Sequence, residues 1–566
     1  MAMVTKETKE VAKGTFWTLL GDLAFKLTSF FYLVFLVRIA SQDDIGTFYL
    51  ALSIITISSL LFKIIFSSFS RYIPYFRARA EGLKIQKLLK LGYSISVFLA
   101  IFVAVIVYFF IDIVNFISYD PFISSFLKLF SINLIDSVYS ETSLGNVLKI
   151  LSIYVFVSVF FNLSTILMQS LKRMRNNAII TNIQNISKLV LLTVFYFYIG
   201  ANLFVITVSF VLSYILAVLA SLVFALPAIK ELFGESTGKT ISYRNLLKEI
   251  LPFGIAITAS SSFWTLLSSS DKIMLAYLLP FEISTYTVAV YTVATSLSFL
   301  ILLFPSAISS IFFPLASQLY GEKRLDDVKK ICDTSMRWIL FVTVPFAMVF
   351  IIFSSDLLGM FYGDEYRLGA VTMMLFTFGL LIRSLSYIPA SILASMRLVR
   401  VELIVAVVTF IINIALNFIL IPIFGMDGAA FASFVSFTCA TLIIFYFSRK
   451  LFNFTISHTI FKIIAATLIS FTIIYFIHPY IIQIMLIIPK LANEGILLIV
   501  GKLIKLGVLA FFFSVCVAIF GAISLLIKSF KHEDLDILNA ALRRTKVIPE
   551  SIIRTFSSII LFGIEK

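Results

Sequence analysis

The chain is poor in the residues from which most enzyme and metal sites are built. Its 566 residues include only three cysteines and three histidines, and no two cysteines form a Cys-x-x-Cys pair. This spacing predicts no structural zinc site, no redox motif and no metal cluster. The sequence also has no Gly-x-x-x-x-Gly-Lys-Ser/Thr loop, so we expect no nucleotide-driven transport step.

Charge is scarce as well. Charged residues make up 13% of the chain, whereas a soluble domain carries about 25%. Hydrophobic residues make up 60%, and the mean hydropathy is +1.05. This composition excludes a soluble enzyme, a disordered protein and a secreted disulfide scaffold. A polytopic helical membrane protein remains.

The apolar segments are long and continuous, as membrane-spanning helices require. We predict an all-α polytopic membrane protein with about 14 transmembrane helices. The first segment is too long for a signal peptide, so we expect it to be a retained span. The predicted spans are 14–39, 45–65, 91–111, 147–171, 179–199, 203–226, 251–278, 286–313, 337–355, 369–394, 402–423, 428–448, 461–484 and 497–527.

The net charge of +15 is concentrated in the loops on one side of these spans. The positive-inside rule makes that side cytoplasmic, so both termini are predicted to be cytoplasmic and the protein to lie in the cell (plasma) membrane. The same lysines and arginines can contact lipid headgroups. They form no aromatic–basic platform, so we predict no nucleic-acid partner.

Two pairs of segments indicate an internal repeat. Residues 44–48 (Asp-Ile-Gly-Thr-Phe) match residues 282–286 (Glu-Ile-Ser-Thr-Tyr) at an offset of 238. The second match has an offset of 225. It pairs a basic loop in each half, and it pairs the glycine after the next span, which is Gly200 in the first half and Gly425 in the second. Six spans separate the copies, so both copies keep the same orientation.

The repeat predicts the domain organisation. We expect an N-terminal six-helix lobe at 1–250, a C-terminal six-helix lobe at 251–458, two additional transmembrane helices at 459–527 and a cytoplasmic tail at 528–566. Two lobes in a parallel repeat would enclose a central cavity that can open to either side of the membrane. That geometry is typical of alternating-access transport.

Few ionisable residues lie deep in the predicted spans, where a charge costs about 2.5–3.5 kcal/mol or more. Lys26, Lys188 and Arg383 are the deep cations, and Asp22 shares a helix face with Lys26. Together they predict an electropositive, water-accessible pocket that attracts an anion. Alternatively, Asp22 and Lys26 form a self-contained ion pair, and Arg383 is paired with Asp22 or Asp271.

The seventh and eleventh spans carry further candidate site residues. A polar stripe follows the helical period and consists of Thr258, Ser262, Thr265, Ser269 and Lys272. It lines a cavity or packs closely on another helix. Asp271 and Lys272 lie near the end of the span and could form a gate or an interfacial pair. Asn413 occupies the repeat position of Lys188, and packing between helices is the alternative role for it.

Several stretches resemble the polysaccharide (O-antigen) flippase family of the multidrug/oligosaccharidyl-lipid/polysaccharide exporter superfamily. The opening 14–17 (Gly-Thr-Phe-Trp) through 43–46 (Asp-Asp-Ile-Gly) resembles the start of that family. Residues 270–275 (Ser-Asp-Lys-Ile-Met-Leu) resemble its seventh-helix signature, where arginine is more usual than lysine. The most specific resemblance is in 413–430, which contains Asn-Ile-Ala-Leu-Asn-Phe, then Ile-Pro and Gly-Met-Asp-Gly-Ala-Ala.

The resemblance implies a transporter, not an enzyme. Its substrate would be a polyprenyl-(pyro)phosphate-linked oligosaccharide, moved from the cytoplasmic to the outer leaflet of the membrane. The candidate substrate-binding residues are Lys26, Lys188, Arg383, Asp271, Lys272 and Asn413, and Asp22 is a candidate ion pair or coupling site.

We expect no cofactor and no metal, and coupling to an H⁺ or Na⁺ gradient. Membrane lipids and other polysaccharide-assembly membrane proteins are the candidate partners. The alternatives are a cation-coupled small-molecule or drug antiporter of the same superfamily and a membrane glycan polymerase or ligase.

Overall fold

The computed structural model describes residues 2–113, 143–234, 242–322, 324–396, 398–490, 496–535 and three short stretches between 557 and 564. Within them the chain is helical, and no strand is assigned there. The predicted all-α fold is confirmed.

The helices of the first half are α1 (Ala2–Ile39), α2 (Gln42–Ser58), α3 (Lys63–Ala78), α4 (Gly82–Tyr108), α5 (Ser143–Ser170), α6 (Met174–Ile199) and α7 (Leu203–Gly234). The helices that follow are α8 (Tyr243–Leu278), α9 (Phe281–Ser298), α10 (Leu303–Gly321), α11 (Leu325–Ile352), α12 (Ser354–Phe361), α13 (Ala370–Leu385), α14 (Tyr387–Ser395), α15 (Val399–Phe452), α16 (His458–Lys490) and α17 (Ile496–Leu526).

Twelve helical segments in the described part of the chain are long and apolar enough to cross a membrane. The protein is therefore a multi-pass membrane protein, and the predicted number of 14 is not confirmed. One reason is that the predicted spans 402–423 and 428–448 are counted as one segment, Arg400–Phe452, although a kink with non-helical backbone at Gly425 separates them. The other is that α8, which carries the polar stripe, is not among the twelve.

The two halves of the chain break their helices at equivalent places. A four-residue 3-10 segment, Ser59–Phe62, separates α2 from α3, and Phe299–Leu302 separates α9 from α10 in the same way. The two segments are 240 residues apart, close to the offset of 238 read from the sequence. A 3-10 turn inside a long helix changes its hydrogen-bond register and often marks a hinge.

The glycines that define the second repeat offset share a special backbone conformation. Gly200 ends α6 with φ +89°, and Gly425 has φ +58° at the kink within α15. Residues with a Cβ rarely adopt positive φ, so glycine is needed at both turns. At the kink the chain also closes tightly, because a Cβ on Gly428 would clash with the carbonyl of Leu420.

The helices form two compact units that are not contiguous in sequence. The first unit contains 1–297 and 402–432, and the second contains 298–401 and 433–566. Helices α8 and α9 and the first part of α15 therefore belong with α1–α7. The predicted division at 250, 458 and 527 stays a prediction.

The second unit contains a fully buried arginine. Arg337 of α11 is 0% exposed and forms an ion pair with Asp333, one turn before it. Its guanidinium also donates two hydrogen bonds to Asp534, at 3.0 and 3.1 Å, and Asp534 is 1% exposed. Lys531 forms a second ion pair with Asp333 at 2.8 Å. The segment after α17 therefore supplies a counter-ion for a buried cation of α11.

Aromatic packing holds the same segment. The ring of Phe530 stacks on Phe341 of α11 with the centroids 4.5 Å apart and an interplanar angle of 5°. The carboxylate of Asp534 also accepts a hydrogen bond from the backbone N–H of Lys531. The beginning of the C-terminal tail is thus part of the packed second unit.

We expect Asp534→Asn to destabilise the protein by up to about 3–5 kcal/mol, because it leaves the buried Arg337 with only Asp333 and the half-exposed Glu533 as acidic partners. Thermal unfolding in detergent measures the change. The double variant Arg337→Met, Asp534→Asn should recover most of the loss, since the unpaired cation is then gone.

The matched control is Asp327→Asn, which breaks an exposed pair with Arg324 on the same helix. Exposed pairs contribute little to stability, so the control should unfold like the wild type. If Asp534→Asn also unfolds like the wild type, the buried pair does not contribute as described.

Candidate functional site

In the first unit, α1 and α6 pack through a polar seam. Asn182 donates a hydrogen bond to the carbonyl of Gly21 at 3.1 Å, and Asn185, one turn later, donates to the carbonyl of Phe25 at 2.6 Å. Asn185 is fully buried. The close approach depends on Gly21, because a Cβ there would lie 2.7 Å from the Cβ of Ala178. The seam fixes the register of the two helices.

This register places Lys188 on an aromatic ring. Its Nζ lies 4.1 Å from the ring centroid of Tyr32 on α1, and Tyr32 is 3% exposed. No carboxylate of the described residues lies within 4.0 Å of this ammonium. The aromatic face partly compensates the charge, by about 0.5–2 kcal/mol.

Lys272 meets a second tyrosine close to the first. The Nζ of Lys272 lies 5.8 Å from the ring centroid of Tyr49 on α2. Tyr32 and Tyr49 are near enough to interact electrostatically, and the hydroxyl of Tyr32 is buried without a hydrogen bond among the described residues. Two lysines predicted from the sequence, Lys188 and Lys272, thus contact adjacent tyrosines of one unit. We call these four residues the lysine–tyrosine cluster.

Asp271, the neighbour of Lys272, lies in a separate network. Its carboxylate accepts a hydrogen bond from the hydroxyl of Tyr291 at 2.6 Å and from the amide of Asn417 at 2.7 Å. The same amide of Asn417 donates to Asn413 at 3.1 Å. Asp271 is 2% exposed, and both asparagines are fully buried. The structure therefore brings Asp271 and Asn413 together, as α8 packs on the first part of α15.

The polar stripe of α8 packs partly on α3. The hydroxyl of Thr258 lies 3.3 Å from that of Ser67, and Thr265 accepts a hydrogen bond from Lys63 at 2.5 Å. The sequence allowed two roles for the stripe, lining a cavity or packing on another helix. Thr258 and Thr265 pack on another helix, α3. Lys63 was expected near the end of a span that finished at 65. It lies in the middle of a continuous segment, Gln42–Ala78.

The repeat partners 44–48 and 282–286 meet in the first unit. The carboxylate of Asp43 accepts a hydrogen bond from the hydroxyl of Thr285 at 2.7 Å. The backbone of Gly46 lies directly against Thr285, so that a Cβ on Gly46 would clash with its carbonyl. The N-terminal ends of α2 and α9 are therefore in close contact.

The other residues predicted for the site are Asp22, Lys26 and Arg383, and each makes contacts of its own. Asp22 is exposed and Lys26 is half-buried on α1, and the two interact electrostatically without an ion pair within 4.0 Å. Arg383 belongs to the second unit, where its guanidinium donates a hydrogen bond to Ser386 at 3.2 Å. Their roles in substrate binding stay predictions.

Three lysines of the described site share one kind of environment. Lys63, Lys188 and Lys272 contact a hydroxyl or aromatic rings, and none forms an ion pair within 4.0 Å among the described residues. In the same part of the chain no group of three or more histidine, cysteine or acidic side chains is placed to hold a metal ion.

Sequence reasoning missed four residues of the site: Lys63, Tyr32, Tyr49 and Tyr291. For Lys63 the signal was present, since the apolar character of the second span continues beyond it as far as Arg71. For the tyrosines no signal exists, because aromatic residues are common throughout this chain, at 15%.

Curated relatives match only part of the chain. A probable low-salt glycan biosynthesis flippase of Haloferax volcanii, Agl15, is 24% identical over 28% of this chain and 33% of its own length. The matched part thus spans about a third of that relative.

Solved structures with the same fold cover more. The lipid II flippase MurJ, in an inward closed conformation, aligns with 89% of this chain and 98% of its own at a TM-score of 0.62 and 15% identity. An inward-facing multidrug resistance transporter of the MATE family and MOP superfamily aligns with 77% of this chain and 98% of its own, with a TM-score of 0.61 and 12% identity.

Family membership follows from the sequence matches. Residues 256–419 match the MatE family. Residues 11–320, more than half of the chain, match the family described as polysaccharide biosynthesis protein. The likeness in sequence and fold, and the membrane-spanning helices, agree with that match, and the chain belongs to the polysaccharide biosynthesis protein family.

Proposed function

We propose that this protein is a transporter that flips a polyprenyl-(pyro)phosphate-linked oligosaccharide from the cytoplasmic to the outer leaflet of the cell membrane by alternating access. In this proposal the termini are cytoplasmic, and the α1–α2 and α8–α9 turns lie on the outer side. The names of the flippase relatives support the class of substrate.

The lysine–tyrosine cluster carries the proposal. A charge near the membrane centre costs about 2.5–3.5 kcal/mol, and a cation–π contact returns about 0.5–2 kcal/mol. The difference leaves the ammonium of Lys188 incompletely compensated. A phosphate group would supply the missing negative charge, whereas a cationic drug would add to the repulsion. The cluster therefore favours a flippase over a drug antiporter.

The buried carboxylate of Asp271 supports a proposal for how transport is coupled to an ion gradient. We propose that Asp271, instead of Asp22, takes up the coupling H⁺ or Na⁺. Asp271 is buried among hydroxyl and amide groups, and the Oδ1 of Asn417 is a buried acceptor without a hydrogen bond among the described residues. Oxygen ligands of this kind suit a hard cation. Asp22 is exposed.

The contact between α2 and α9 supports alternating access. It joins equivalent segments of the two repeat copies at one end of the helices. In the proposed orientation this contact closes the outer side of the transport path, and it must separate before the headgroup can leave.

Replacing Lys188 or Lys272 by glutamine should lower the rate of flipping about tenfold or more, because a hydrogen bond to a charged group contributes about 1.5–3 kcal/mol. The measurement uses proteoliposomes and a fluorescent polyprenyl-diphosphate oligosaccharide, with the inserted protein quantified. Lys90→Gln is the control, since Lys90 lies near the start of α4 beside the ring of Phe233. Wild-type flipping by the Lys188, Lys272 double variant would rule out headgroup binding at this cluster.

Asp271→Asn should abolish the dependence of flipping on an imposed H⁺ or Na⁺ gradient, because the amide carries no charge to be neutralised. Asp22→Asn should keep that dependence. The same proteoliposomes, loaded to set one gradient at a time, make the comparison. A gradient response that is lost in Asp22→Asn and kept in Asp271→Asn would reverse the assignment.

A disulfide formed in the variant Asp43→Cys, Thr285→Cys should stop flipping, because it holds the ends of α2 and α9 together. Reduction should restore transport in the same sample. Each single cysteine variant serves as the control for oxidation alone. Transport at the wild-type rate with the disulfide fully formed would show that this contact does not need to open.

A further inference from the structure

A groove on the first unit has no role in the proposed transport step. It lies between α4 and α5 and has a volume of about 370 Å³. Ala104, Val105 and Tyr108 line one side, and Ile153 and Phe156 line the other. Val105 and Ile153 are 51% and 53% exposed, so the groove opens to the membrane.

A cation lies at one end of this groove. Lys149 precedes Ile153 by one helical turn and is exposed. Its Nζ lies 5.7 Å from the ring centroid of Tyr108, the residue that ends α4 and also lines the groove. No carboxylate of the described residues, Asp112 included, lies within 4.0 Å of this ammonium. Within the described part of the chain, this charge therefore has no close acidic partner.

The two features together define the chemistry of an occupant. The groove lining is apolar, and its volume falls in the range of about 300–1,000 Å³ that is typical of ligand sites. Water cannot satisfy its hydrogen bonds there, whereas a hydrocarbon chain fills such a space favourably. A lysine near the membrane surface attracts anionic headgroups.

We propose that the α4–α5 groove binds an anionic phospholipid, with one acyl chain along the groove and the phosphate on Lys149. The site is separate from the lysine–tyrosine cluster and does not depend on the transported substrate. A zwitterionic phospholipid offers the same chain without net negative charge, so it should bind more weakly.

The test uses the full chain in nanodiscs of phosphatidylcholine that contain a small fraction of photoreactive phosphatidylglycerol, with the diazirine in an acyl chain. Mass spectrometry of the cross-linked peptides should locate label on α4 and α5. Lys149→Gln should lower labelling of these helices by phosphatidylglycerol about fivefold, as expected for one lysine near the membrane surface. Labelling by a matched phosphatidylcholine probe should not change.

Two further variants complete the design. Ala104→Phe fills the groove and should reduce labelling by both probes, while Lys90→Gln, near the start of the same helix, should change neither. Equal labelling by the two probes in the wild type and in Lys149→Gln would overturn the headgroup assignment. Label on α4 and α5 from a polyprenyl phosphate probe alone, or cross-links only to other parts of this chain, would overturn the phospholipid as occupant.

Discussion

The contact of an ammonium group with an aromatic ring inside the membrane constrains the rest of the first unit. Lys188 of α6 lies on the ring of Tyr32, which compensates part of its charge. That position requires α1 and α6 in one register, which the hydrogen bonds of Asn182 and Asn185 to the backbone of α1 provide. The small residues Gly21 and Ala178 then allow the helices to approach closely. Helix packing and the electrostatics of the site thus depend on each other.

Equivalent helix pairs of the two repeat copies carry buried side chains of opposite charge. In the first copy the seam between α1 and α6 contains the cation Lys188. In the second copy, α8 and the first part of α15 contain the acid Asp271, and Asn413 stands at the repeat position of Lys188. A repeat with identical charges would offer two similar sites. In the observed structure one copy has a buried cation on this helix pair and the other copy has a buried acid.

The fold and the repeat were predictable from the sequence, and half of the site was not. Long apolar runs identify helices because a membrane leaves few other structures for them, and Gly200 and Gly425 reveal the repeat because their backbone conformation excludes other residues. Lys188, Asp271 and Lys272 stood out because charge is expensive in a span. Tyr32, Tyr49 and Tyr291 did not, because their roles depend on contacts between helices far apart in sequence. Lys63 fell near the end of the predicted span 45–65, whereas the apolar segment of the structure continues to Ala78.

The 3-10 segments have a mechanical consequence. At Ser59–Phe62 the backbone carbonyls next to the break accept hydrogen bonds from serine hydroxyls, Ser58 to Ile54 and Ser59 to Thr56. Side chains on the same helix therefore satisfy carbonyl groups beside the break. Below the break, Tyr72 is bonded to the carbonyl of Glu249, at the start of α8. Bending at this 3-10 segment would move α2, which is about five helical turns long, while α3 stays bonded to α8.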